Sequence, residues 1–61
     1  MTYYQIYIAL LQLPIGARAS IQGVLIAMRD RVADETGIPA EVVQNDAESY
    51  AAELARDRVP R

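Results

Sequence analysis

The stretch Ile21 to Val32, IQGVLIAMRDRV, decides how this chain folds. Its large apolar side chains recur three, four and seven residues apart, the spacing of one helix face. The members of this face are Ile21, Val24, Leu25, Met28 and Val32. The pattern predicts an amphipathic helix, which we place at about residues 17–36.

The two ends of this central helix carry different signals. Its start is open, because Pro14 suits a first helical position and Ser20 suits an N-cap closer to the apolar face. Its end is better defined, because Thr36 is followed by Gly37, and glycine readily adopts the left-handed conformation that closes many helices.

The opposite side of the central helix carries a row of small residues. Ala19, Gly23 and Ala27 are spaced by four. Such a row lets another backbone approach closely, although it also suits an ordinary exposed face. Ile26 lies beside the row and would face water if the helix had a single partner. We therefore expect contacts on both faces of this helix.

Residues 2–13, TYYQIYIALLQL, predict a helix at about residues 3–13. Thr2 and Gln5 match a capping box, in which each side chain binds a free backbone N–H at the helix start. Pro14 predicts the stop, because it disfavours helical geometry in the residue before it. The tyrosines and isoleucines also suit a buried strand, so an N-terminal strand in a ribbon-helix-helix-like dimer is the alternative.

Apolar side chains cover most of the circumference of this first helix. One neighbouring helix would leave part of that surface in water, so we expect homo-oligomerisation to complete the fold. Tyrosine suits interfaces, because its ring buries well while its hydroxyl stays wet. The residues predicted for the interface are Tyr3, Tyr7, Leu10, Ala19, Gly23, Ile26 and Ala27.

A third helix is predicted at about residues 39–57, with Pro39 at its first position. Its apolar stripe comprises Val43, Ala47, Tyr50 and Leu54. The side predicted to face solvent carries Glu41, Gln44, Asn45 and Glu48. Arg18 and Arg29 flank the central helix and could pair with the acidic flank of the third, which is Asp46, Glu53 and Asp57. We expect residues 58–61 to fray.

The length and composition predict one small domain, residues 1–61, and the fold class is all-α. A chain of 61 residues buries only about 60% of the surface that it exposes when unfolded, so its core is marginal. The chain contains no Cys and no His, which removes disulfides and the commonest metal ligands. With 52% hydrophobic residues, we expect tight packing or self-association to stabilise it.

The charge, hydropathy and composition of the chain indicate which kinds of partner, location and source to expect. Residues 34–55 hold six acidic residues and no basic one, within a net charge of −2, so we expect no nucleic-acid partner. The chain has no apolar run of about 20 residues and no basic leader, so we expect a soluble cytoplasmic protein with no membrane partner. Every basic residue is Arg and ten residues are Ala, a bias typical of GC-rich bacterial or phage genes.

Residues 32–43, VADETGIPAEVV, loosely resemble the helix-turn-helix pattern. The matching positions are Val32, Ala33, Gly37, Ile38 and Val43. The resemblance covers about a fifth of the chain and implies a small dimeric DNA-binding regulator that reads bases with Gln44 and Asn45. Glu41 and Glu48 would repel the DNA backbone, so this function is the alternative.

The residue types disfavour an enzyme. A nucleophile would have to be a hydroxyl, at Thr2, Ser20, Thr36 or Ser49, and no Lys or His is present to activate it. The carboxylates form no ligand-dense loop. We therefore expect no catalysis, no cofactor, no metal and no small-molecule substrate. The leading hypothesis is a small self-associating regulatory module that binds another protein.

Overall fold

Four helices make up most of the computed structural model, which describes residues 2–57. They are α1 (Tyr3–Leu11), α2 (Ile15–Ser20), α3 (Gln22–Thr36) and α4 (Ala40–Asp57). No strand occurs among these described residues, so the all-helical prediction is confirmed. The number of helices is four rather than the predicted three. The prediction that residues 58–61 fray lies outside the described residues.

The start of α1 has the predicted capping box. The Gln5 backbone N–H donates to the Thr2 hydroxyl at 3.2 Å, and the Thr2 N–H donates to the Gln5 side chain at 2.9 Å. The helix ends at Leu11, two residues earlier than predicted, in a tight turn in which Leu13 N–H donates to the Leu10 carbonyl at 3.2 Å. The ribbon-helix-helix-like dimer describes an assembly and stays a prediction.

The central helix is broken at Ile21, so the prediction of one helix over residues 17–36 is wrong. The chain has φ −116° and ψ 26° at Ile21, whose N–H donates to the Arg18 carbonyl at 3.2 Å. Ser20 does not cap α3; its hydroxyl donates back to the Gly16 carbonyl at 3.3 Å. A serine bound in this way competes with the helical pattern and often bends a helix. Pro14 serves as the N-cap of α2 rather than as its first residue.

The joint between α3 and α4 follows the prediction closely. Gly37 has φ 74°, and its N–H donates to the Ala33 carbonyl at 2.9 Å, which closes α3. A left-handed residue of this kind is favourable only without a Cβ. Helix α4 begins at Ala40, one residue later than predicted. The Pro39 carbonyl accepts the N–H groups of Val42 and Val43 and so opens the helix.

Helix α1 lies across the seam between α3 and α4 of the same chain. Tyr3 lies near Arg31 in the second half of α3, and Leu11 shares a cleft with Leu25 in the first half, so α1 runs antiparallel to α3. Tyr4 shares a cleft with Val43, and Leu11 shares another with Ala51, so α1 runs parallel to α4. All three helices contribute to one core, whose buried residues are Tyr7, Ile8, Leu11, Leu25, Val32, Val43, Ala47 and Ala51.

Two predicted core residues lie outside this core. Tyr50 is 50% exposed and Val24 is 46% exposed. Ala51 replaces Tyr50 on the buried side of α4, because α1 packs directly on that helix and approaches closely where side chains are small. The centre of the apolar stripe of α4 is therefore rotated by about 30° from its predicted position, at about 100° per residue.

A helix that spans a membrane needs about 20 residues that are mostly apolar. None of the helices within residues 2–57 is both long enough and apolar enough.

Candidate interaction surfaces

Two polar contacts reach α4 beside Tyr7, one from α2 and one from α3. Arg18 donates to the Glu48 carboxylate at 3.2 Å, and Arg29 donates to the Gln44 side-chain oxygen at 2.9 Å. The groove between them leaves a cleft of only about 40 Å³, room for about one water molecule. This clasp fixes how α2 and α3 sit against α4.

The partners in this clasp differ from those predicted. The sequence pattern predicts that the two arginines pair with Asp46, Glu53 and Asp57. It also predicts that Gln44 and Glu48 face solvent. In the structure Gln44 and Glu48 are half-buried and make the contacts. The rotation of α4 that buries Ala51 also turns Glu48 towards Arg18 of α2 and Gln44 towards Arg29 of α3. The prediction of arginine contacts between helices is correct, and the identity of the acceptors is wrong.

The hydroxyl of Tyr7 is affected by the same groove. The residue is only 2% exposed. Burial raises the pKa of the Tyr7 hydroxyl above its ordinary value of 10.0, and the Glu48 carboxylate raises it further, while Arg29 and Arg18 lower it. Tyr7 is thus a core residue held in its neutral form, and it offers little surface to a partner.

The predicted interface residues of α1 lie in two environments. Tyr7 is in the core, and Leu10 is partly buried against it. Tyr3 is 38% exposed, with the Arg31 guanidinium 4.9 Å from its ring centre. A hydrogen bond to Glu35 raises the pKa of that guanidinium. The wide apolar surface of α1, which suggested a second subunit, is largely covered by α3 and α4.

The small-residue row of α2 and α3 faces outwards. Ala19, Gly23 and Ala27 are exposed, and Ile26 beside them is 41% exposed. A methyl group built on Gly23 would have no atom within 4 Å. No part of the described chain therefore packs on this row, and the close contact expected there has no partner within residues 2–57.

The residues suggested for reading DNA differ in availability. Asn45 is exposed on the outer side of α4. Gln44 is half-buried, and its side-chain oxygen accepts a hydrogen bond from Arg29. A base edge would have to compete with that contact, because one amide oxygen cannot serve both partners in the same geometry.

One surface was missed in the sequence. An open cleft of about 270 Å³ lies at the end of the molecule where α3 turns into α4. Its lining residues are Tyr4, Val32, Thr36, Ile38, Val43 and Asp46. We call it the turn-end cleft. Its sequence signal is the apolar Ile38 within the turn, which is 43% exposed.

Within residues 2–57, no group of three or more acidic side chains is placed to hold a metal ion.

Comparison with known proteins identifies no relative of this chain. No protein-family model, no curated protein and no solved structure matches this chain.

Proposed function

We propose that this chain is a small non-enzymatic module that acts by binding another protein. The observation that carries the proposal is the division of its apolar residues. Among residues 2–57, eight large apolar residues are more than a third exposed, as many as the eight residues that form the buried core, two of which are alanine. Single exposed apolar residues are ordinary, whereas groups of them mark interaction sites.

The exposed residues fall on different sides of the molecule. Ile26 accompanies Gly23 and the alanines of the small-residue row on the outer side of α3. Ile38 and Val42 lie at the opposite end of α3, by the turn-end cleft. Two separate apolar surfaces suit a module that contacts more than one neighbour.

The small-residue row is the surface we assign to self-association. Ala19, Gly23 and Ala27 would let the backbone of a second copy approach closely, and Ile26 would be buried at the edge of that contact. A glycine inside an exposed helix costs about 1 kcal/mol relative to alanine. A close contact in the assembly offsets that cost.

The setting we propose is the cytoplasm of a bacterium, with the gene belonging to the host or to a phage. The arginine-only basic residues and the ten alanines support this origin.

Sedimentation equilibrium of the intact chain at micromolar concentration tests the self-association. We expect a mass at least twice that of the 6.8 kDa chain. A well-folded monomer would refute it. Retention on DNA that weakens steeply with salt, and is lost on Gln44→Ala with Asn45→Ala, would replace the proposal with the DNA-binding alternative.

A further inference from the structure

The turn-end cleft is a mostly apolar concave surface. Tyr4 of α1 and Val32 of α3 form part of its wall, and Val43 of α4 forms another part. Ile38 at its rim is 43% exposed. A cleft of this kind accepts one or two apolar side chains from a neighbour, because burying them removes apolar surface from water on both sides.

A row of acidic and apolar residues leads away from this cleft along α4. Val42, Asp46, Tyr50, Glu53 and Asp57 are spaced by three or four residues and so share one helix face. All five are exposed. At about 1.5 Å per residue, the row from Asp46 to Asp57 spans about 16 Å, or three helical turns.

The carboxylates of this row have no cationic partner among residues 2–57. Arg18 and Arg29 are held in the clasp on another side of α4, and Arg31 pairs with Glu35 and lies over Tyr3. Arg56 lies near the end of the row, in the last turn of α4. The surface therefore combines an apolar cleft with carboxylates that form no ion pair within residues 2–57.

We propose that the turn-end cleft and this row bind an amphipathic, basic helix of a partner protein. An apolar side chain of that helix enters the cleft beside Ile38, and its Lys or Arg residues meet Asp46, Glu53 and Asp57. Helix-in-groove recognition uses apolar anchors at helical spacing for affinity. Complementary charge at the rim sets orientation and association rate. The inference rests on the proposed protein-binding function and names the partner's chemistry.

The test uses a synthetic helical peptide with leucines spaced by three and four residues and lysines along both sides. Its binding to the intact chain is followed by fluorescence anisotropy. The matched control peptide carries glutamate in place of every lysine. We expect the basic peptide to bind and the acidic peptide not to bind. Equal binding of the two peptides, or no binding of the basic one, would overturn the proposal.

Two pairs of variants locate the site. Asp46→Asn with Glu53→Gln should weaken binding about tenfold, whereas Asp34→Asn with Glu41→Gln removes the same charge elsewhere and should change it little. Val42→Ser should weaken binding, whereas Val24→Ser, at a similarly exposed position of α3, should not. An equal loss of peptide binding by both acidic double variants would show that binding depends on overall negative charge alone. An equal loss by both valine variants would show non-specific apolar contact. Either result would refute the proposal. Circular dichroism checks that each variant is folded.

Self-association is measured separately on the same samples. Gly23→Leu should remove assembly and leave peptide binding intact. If Val42→Ser dissociates the assembly while the basic peptide fails to bind, the cleft is a contact between copies and the basic-helix proposal is wrong. If the chain is monomeric and still binds the peptide with the expected variant effects, the self-association fails and this inference stands.

Discussion

The Arg29 guanidinium donates to the Gln44 side-chain oxygen at 2.9 Å and so joins α3 to α4 across the groove above Tyr7. Arg29 also donates to its neighbour Asp30, at 3.0 Å from Nη2. The arginine is therefore held from two sides, and its position depends on a residue of each helix. Because the Gln44 side-chain oxygen already accepts this hydrogen bond, a ligand that binds the same oxygen would have to displace Arg29.

Replacing Gln44 tests that contact. Gln44→Ala should lower the free energy of unfolding by about 1 kcal/mol, because Arg29 loses its acceptor on α4 at a half-buried site. Asn45→Ala, one residue along on the exposed side, should change it by less than about 0.5 kcal/mol. Urea denaturation of the two variants makes the comparison. Equal stability of the two would mean that the bond adds nothing to the fold.

Ala47 tests the packing of α1 on α4. It is fully buried, at 0% exposure. Ala47→Leu should cost roughly 1–3 kcal/mol, because the added carbons meet a filled core. Ala52→Leu is the control on the exposed side of α4 and should be nearly silent. Thermal unfolding measures both, and a silent Ala47→Leu would show that the core has room there.

Glycine substitutions separate backbone conformation from available space. A methyl group on Gly37 or Gly16 would meet no atom within 4 Å, but only Gly37 has positive φ. Gly37→Ala should therefore destabilise the chain by about 1 kcal/mol, whereas Gly16→Ala, in a helix, should stabilise it by about 0.5 kcal/mol. Denaturant unfolding of both variants measures the signs. The same sign for both changes would contradict the assigned turn.

The buried hydroxyl of Tyr7 predicts a loss of stability at high pH. An unfolded tyrosine loses its proton near pH 10, and the pKa of folded Tyr7 is raised above 10.0. Between these two pKa values the unfolded chain releases a proton that the folded chain keeps. Stability is therefore constant below the unfolded pKa and falls as the pH rises from it to the folded pKa.

Removal of that hydroxyl tests the prediction. Tyr7→Phe should show a shallower loss of stability above about pH 10 than the parent chain. Tyr50→Phe removes a hydroxyl from a half-exposed ring and is the control for the loss of one tyrosine. Urea midpoints measured across alkaline pH give the slopes. The same slope in Tyr7→Phe and in the parent chain would disprove the link to this group.

Local signals predicted the helix ends best. The capping box at Thr2 and the left-handed Gly37 depend on neighbouring residues alone, and both are confirmed. The break at Ile21 was missed, because the apolar spacing continues through it and no proline or glycine marks it. The signal that could have indicated it was the weak one at Ser20, whose hydroxyl binds back to Gly16.

Tertiary placement was harder to predict. The sequence pattern predicts that Tyr50 lies in the buried stripe of α4, because a large aromatic ring contributes more to an apolar pattern than an alanine does. The structure buries Ala51 instead, because α1 packs closely on α4 at that position. That rotation turns Gln44 and Glu48, rather than the predicted Asp46, Glu53 and Asp57, towards the arginines. It also leaves an acidic row exposed. The turn-end cleft arises from three helices and has no contiguous sequence signature.

The most direct measurement of the central claim is sedimentation velocity of the parent chain and of Gly23→Leu, together with their stability in dilute solution. We expect the parent chain to self-associate at micromolar concentration and Gly23→Leu to sediment as a monomer. The variant's dilute monomer should be more stable than the parent's by up to about 1 kcal/mol, because leucine is the better helix former and the site is open within one chain. Ser49→Leu is the control, because it places an exposed leucine on α4 instead of α3. It should associate like the parent chain. A monomeric parent chain, or a Gly23→Leu variant that associates as the parent does, would show that the chain does not self-associate through the small-residue row.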